Sequence, residues 1–240
     1  MRKKLFAVLI VVILCVAVWL LLRPENTITT SNPTQYSPFN KSKYSLSKPD
    51  SLWVVVNKKR SLPSDYTPRN LRYPNVKLRS SNPEMQVRDD AATALEQMAT
   101  AAKKAGVPLM LASGYRPYSL QEAVYNNYVA QDGETAANRY SAKPGHSEHQ
   151  TGLAIDLSGT DGVCVIEDCF KDTKTAKWLA KNAHTYGYIL RYEPGKEAIV
   201  GYTYEPWHFR YVGVPLATEI YQNKTTMEQF FQLPAAPDYN

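Results

Sequence analysis

Glycine and cysteine are both scarce in this chain, and each shortage removes a class of function. The 11 glycines among 240 residues include no cluster able to wrap a phosphate. The turn Ser113-Gly114-Tyr115-Arg116 holds one glycine, whereas a nucleotide cradle needs several. There are no internal repeats, so solenoids and propellers are excluded. With 3 cysteines there is no zinc ribbon, which needs two close pairs. Cys15 lies in an apolar run. Cys164 and Cys169 form one close pair, readable as a small-loop disulfide in an exported domain or as two free thiols.

A surplus of positive charge is also missing once the N-terminus is set aside. Residues 1–23 carry Arg2, Lys3, Lys4 and Arg23 and no acidic residue, and these account for four of the 28 basic residues. The remaining 24 basic against 22 acidic residues leave +2 of the formal +6. That balance gives no reason to expect nucleic-acid binding. Long hydrophobic runs are absent but for Leu5–Leu22, which approaches the ~20 apolar residues that cross a bilayer. It ends Val-Trp-Leu-Leu-Leu, without the small residues of a cleavage site. We therefore expect residues 1–23 to be a signal anchor, a single membrane-spanning helix with its positive end inside. The remainder is then expected on the extracellular, cell-wall side.

Residues 24–50, rich in Ser, Thr, Asn and Pro, read as a flexible spacer, and 51–240 as one domain. Leu52–Val56 is β-rich and predicts a strand, and the proline-bearing 61–86 an extended surface loop. From Asp89, Ala91, Leu95, Met98 and Ala102 recur at helical spacing up to a stop at Gly106. A short buried strand is expected over Val107–Leu111. A second helix is expected from Ser119, capped in a box with Glu122, with Val124 and Tyr128 facing the core. Residues 133–146 read as a loop. Leu153–Leu157 reads as a strand carrying Asp156, and Thr173–Tyr186 as an amphipathic helix ending at Gly187. Tyr188–Tyr192 and Tyr204–Val212 read as strands, the latter carrying Glu205 and His208. Helices near Ala217 and after Thr225 finish the chain. Strands and helices mix without βαβ regularity, so the expected class is α+β with a small antiparallel sheet and flanking helices.

The chemistry concentrates in Ser147–Asp156 and Glu205–His208. His149, Asp156 and His208 offer two neutral nitrogens and an anionic oxygen, the ligand set of a catalytic zinc that keeps a fourth position open. Glu205, three residues before His208, is placed to move protons without ligating. Arg116 suits a substrate carboxylate or a developing oxyanion, because its planar fork donates two parallel hydrogen bonds. Ser147 and Gln121 are further candidates for hydrogen bonds to substrate. His146 and His184 read as structural, Glu148 as a solvated side chain, and Tyr115, Trp207 and Tyr211 as packing residues.

Three ordered motifs, Ser-Gly-Tyr-Arg at 113–116, Ser-x-His-x-x-Gly-x-Ala-x-Asp at 147–156 and Glu-Pro-Trp-His at 205–208, resemble those of the VanY-type zinc D,D-carboxypeptidases and their L,D-carboxypeptidase relatives. The resemblance runs from about Leu52 to the C-terminus. It implies a small α+β domain of the kind shared with hedgehog-type domains, holding Zn2+ on His149, Asp156 and His208. It implies Glu205 as general base and Arg116 as the substrate-anchoring or oxyanion-stabilising arginine. The substrate it implies is the terminal D-alanine of peptidoglycan stem peptides. A D,D-carboxypeptidase is the leading expectation. The alternatives are an L,D-carboxypeptidase on tetrapeptide stems, a cross-link endopeptidase and a non-catalytic, zinc-stabilised wall-binding module.

Overall fold

A computed structural model describes residues 39–239. The expected anchor and most of the expected spacer lie outside those residues, and among the described residues no helix is long and apolar enough to cross a membrane. Short strands β1 (Leu71–Arg72), β2 (Lys77–Leu78) and β3 (Val87–Arg88) precede helix α1 (Asp89–Lys104). Strand β4 (Leu109–Ser113), helices α2 (Tyr118–Asp132) and α3 (Glu134–Tyr140) and strand β5 (Ala154–Gly159) follow. The chain continues through α4 (Lys174–Asn182), β6 (Tyr188–Leu190), α5 (Glu197–Val200), β7 (His208–Tyr211), α6 (Val214–Asn223) and α7 (Met227–Phe230).

The main sheet has the order β2-β4-β5-β7-β6, antiparallel except for the β2–β4 pair. The class is α+β, as the mixed periodicities imply. Side chains alternate along β5, so Ile155 and Leu157 enter the apolar core while Asp156 projects to the opposite face. The core is built by Leu95 and Met98 of α1, Leu109 and Leu111 of β4, and Leu179 of α4 with Phe209 of β7. Helix α1 forms for the expected reason: Ala91, Leu95, Met98 and Ala102 are all fully buried. Asp89 and Asp90 open it and Lys103 and Lys104 close it, matching the helix dipole.

Several local expectations are corrected. Leu52–Val56 forms no strand, although Trp53–Val56 are buried and Leu52 partly so. Its polar groups are met individually instead: Arg210 Nη2 donates to Leu52 O and Val54 O, and Trp53 Nε1 donates to Val212 O. Residues 61–86 contribute β1 and β2 rather than loop alone, and 133–146 contains α3. Helix α2 begins one residue before Ser119, with Pro117 as its N-cap and no side-chain cap. Its buried side chains are Gln121 and Tyr125, whereas Val124 and Tyr128 face a cleft. The helix expected after Thr225 is α7, whose N-cap is Thr226 in a capping box with Gln229. Glu205 sits in the turn before β7, not within the strand. At the end of the expected spacer, Lys41 donates to Phe230 O and Tyr44 packs edge-on against Trp53, 4.9 Å between centroids.

Cys164 and Cys169 are joined in a disulfide. It closes a turn in which Cys164 and Ile166 both take left-handed backbone, φ 55° and 57°.

Candidate metal centre and active site

The sheet brings the site together. Asp156 on the central strand β5 is registered against His208 on β7 at one side and Ser113 on β4 at the other. Directly opposed residues on paired strands hold their Cβ atoms about 5 Å apart. His149 arrives from the 3-10 turn Glu148–Thr151 that precedes β5. That turn ends at Gly152 in the left-handed region, φ 67°, where a Cβ would meet Leu71 Cδ2 at 3.0 Å. The left-handed backbone is what favours glycine there, the close side chains adding to it.

His149 Nε2 lies 3.3 Å from Asp156 Oδ2, and His208 Nδ1 lies 3.2 Å from Asp156 Oδ1. One ligating atom from each of the three residues can be chosen so that all lie within 4.8 Å of one another, and all three residues are buried. Those N···O separations are close to the edge of a tetrahedron with bonds of about 2.0 Å, the length zinc makes to N and O. Asp156 Oδ1 is buried without a hydrogen bond, an orphan that a cation satisfies. The donors present therefore fit zinc. His149 Nδ1 lies 2.6 Å from Gly114 O; a carbonyl only accepts, so Nδ1 carries the proton and Nε2 keeps its lone pair.

The electrostatics suit ligation. Burial pulls the His149 imidazole down, toward the neutral form, with Asp156 acting the other way. Burial alone would raise Asp156, but His149 and His208 outweigh it and hold the carboxyl well below the usual range. Glu205 Oε2 is 3.7 Å from His208 Nδ1. Burial pushes the Glu205 carboxyl up to about 8, against the pull of His208. A cation in the site favours its anionic form, which a base requires.

These side chains line one cleft of about 570 Å³ together with Arg116, Gln121 and Ser147. Arg116 is pre-oriented: Nη1 donates to Gln121 Oε1 at 2.9 Å and Nη2 to Ser113 Oγ at 3.0 Å. Gln121 is itself pinned, its Nε2 donating to Ala142 O at 2.7 Å. It therefore serves Arg116 directly. Ser147 Oγ accepts from the His149 backbone N–H at 3.4 Å and borders the cleft. His146 and His184 stand outside the cluster. His146 Nδ1 is 2.8 Å from Asn57 O, and His184 stacks on Tyr221 at 3.7 Å. Tyr115 is buried, and Trp207 and Tyr211 pack on the core, Trp207 also reaching the cleft.

Glu148 is corrected outright: it is not solvated but fully buried. Its Oε1 accepts from Arg191 Nε at 2.9 Å and Arg210 Nη1 at 2.8 Å, and its Oε2 faces His208 Nε2 at 3.5 Å. Sequence reasoning also passed over Tyr192, which packs on His208 with centroids 4.7 Å apart. Aromatic residues in a strand ordinarily read as core, and nothing in the sequence sets this one apart.

The model of the VanY family, D-alanyl-D-alanine carboxypeptidase, matches residues 84–214. The chain belongs to that family. Its relatives include the putative carboxypeptidase YodJ of Bacillus subtilis (strain 168), 42% identical over 190 residues, which cover 78% of this chain and 69% of YodJ. Among solved structures, the LD-carboxypeptidase LdcB superposes with TM-score 0.73 at 41% identity, covering 77% of this chain and 87% of LdcB. The D,D-pentapeptidase VanY of a VanB-type resistance cassette, in complex with Zn(II), gives TM-score 0.63 at 32% identity, covering 76% and 99%. This VanY-family chain is a zinc metallocarboxypeptidase, and its His-Asp-His cluster is the group of described residues that suits the metal.

Proposed function

We propose that this protein removes the C-terminal D-alanine from peptidoglycan stem peptides, working outside the cell from a membrane anchor at residues 1–23. The observation that carries the reading is one cleft holding the His149–Asp156–His208 set, an acid–base carboxylate and an oriented guanidinium. His149 Nε2, Asp156 and His208 Nδ1 would hold the zinc. Bound there, the metal would supply Lewis acidity for the scissile carbonyl and an acidified water, whose pKa such a site lowers from 15.7 to about 7. Glu205 takes the proton released by the attacking water and delivers it to the departing amine of D-alanine, so one carboxylate closes the proton balance. Arg116, held open by Ser113 and Gln121, pairs with the terminal carboxylate and sets the cut one residue from the end. Ser147 borders the same cleft as a hydrogen-bonding group for the substrate backbone.

Both D,D and L,D activity release D-alanine. The D,D reading rests on the family model. The L,D reading on tetrapeptide stems is favoured by the 41% identity to LdcB against 32% to VanY. Zinc-loaded protein incubated with pentapeptide and tetrapeptide stems decides between them, D-alanine and the shortened peptide being quantified separately. Release from neither peptide, or full activity in Glu205→Gln, overturns the proposal. C-terminally amidated stems should be poor substrates, and equal rates on free and amidated ends would remove Arg116 from its role.

A further inference from the structure

Beside His208, on the same face of the sheet, lies a buried ionic cluster that the reaction does not use directly. Glu148, Arg191, Arg210 and Glu228 are each all but fully buried. Arg191 Nη1 and Nη2 donate to the two oxygens of Glu228 at 2.9 and 2.6 Å, and Asn57 Nδ2 donates to Glu228 Oε1 at 2.9 Å. Arg210 is anchored at its far side by Leu52 O and Val54 O. Two positive and two negative side chains thus balance, and each guanidinium has a carboxylate partner.

Within that balance one carboxylate oxygen is left over. Glu148 Oε1 takes both arginines, whereas Oε2 accepts no hydrogen bond. His208 Nε2 is also buried and unpartnered, and it stands 3.5 Å from that oxygen. Two orphans face each other across a gap that a small ring rotation closes to hydrogen-bond length.

We propose that Glu148 is the positioning residue of the metal site, fixing His208 as the tautomer that carries its proton on Nε2 and presents Nδ1 to zinc. A carboxylate paired to two arginines only accepts, so the nitrogen facing it must be the protonated one. The lone pair is then on Nδ1, the nitrogen that lies 3.2 Å from Asp156 and 3.7 Å from Glu205. The arginines hold Glu148 in turn, so ring orientation is set by a chain of contacts from α7 through residue 191 to β7. His149 is fixed by a neutral carbonyl and His208 by an anion, so the two ligands are oriented by unlike partners. Hydrogen-bonded outer partners of this kind typically change metal affinity 10–100-fold.

The inference rests on zinc being held by His149, Asp156 and His208, and its test separates the two claims. Zinc affinity is measured by chelator competition on the full chain, for wild type, Glu148→Gln, Glu148→Asp and the remote core variant Leu95→Ala. Wild-type protein that holds no zinc at the cluster overturns the functional reading itself. With zinc bound in the wild type, affinity should fall 10–100-fold in the Glu148 variants and stay within threefold in Leu95→Ala, which loses stability without touching the site. The absorption spectrum of the Co(II)-substituted Glu148 variants should also move. Unchanged affinity in a folded Glu148 variant overturns the proposal. If neither variant folds, 15N NMR of the His208 ring in the zinc-loaded wild type decides: a proton on Nε2 supports it, and a proton on Nδ1 overturns it.

Discussion

At the scale of single residues, the three motifs are groups of side chains whose tasks are not interchangeable. In Ser113–Arg116 the serine and arginine hydrogen-bond to each other, Tyr115 is buried, and Gly114 supplies only backbone. A Cβ on Gly114 would stand 2.5 Å from Gln86 O and 2.9 Å from Glu84 O, and backbone cannot swing aside as a side chain can. Gly114→Ala must therefore shift the segment whose carbonyl holds the His149 ring. Zinc affinity should drop about tenfold or more, by the same outer-partner effect, with the Arg116 contacts disturbed as well. Chelator competition with a thermal melt measures both, and an affinity equal to wild type would break the link. The three candidate ligands that the structure brings together were legible because zinc restricts the residue types it accepts. Glu148 was not legible: its partners Arg191 and Arg210 lie 43 and 62 residues away in sequence. A glutamate in a polar stretch ordinarily faces water.

At the scale of elements, periodicity identified the long helix and the buried strands. It failed where burial is achieved without a ladder. Leu52–Val56 has strand composition, yet its carbonyls are taken by a guanidinium, and a run of β-branched residues cannot announce that a distant arginine will serve it. The loop after β5 shows the same dependence on a non-local constraint. Ile166, Glu167 and Asp168 line the cleft, and the Cys164–Cys169 disulfide closes the turn that presents them. Cys164 and Ile166 hold left-handed backbone that unbranched chains avoid and β-branched ones avoid more. The cross-link therefore sustains a conformation the turn would otherwise leave. Replacing both cysteines by serine should cost about 2 kcal/mol by loop-closure entropy. The metal ligands lie on other elements, so KM for a stem peptide should rise several-fold while kcat changes little. Steady-state kinetics distinguishes this from a loss confined to kcat, which would place the turn in the chemistry itself.

At the scale of the whole molecule, the buried cluster joins segments that the core alone does not. It links Asn57 near the start of the described domain, the turn before β5, β7 and the C-terminal helix α7. Breaking such a pair from one side leaves a buried charge uncompensated, at a cost of about 3–5 kcal/mol. Glu228→Gln does this to Arg191, whose remaining carboxylate is shared with Arg210. Burial by itself would raise the Glu228 carboxyl, but Arg191 outweighs it and the folded value lies below the ordinary 4.5. A depressed carboxylate contributes stability in full above its unfolded pKa and loses it as pH falls through the folded one. Wild type should therefore exceed Glu228→Gln most at neutral pH, with the gap beginning to close near 4.5 and narrowing further below. Urea midpoints at pH 7, 5 and 3 follow that gap. A gap independent of pH would mean that the lost stability comes from packing around α7 rather than from the charge that ties it to the metal site.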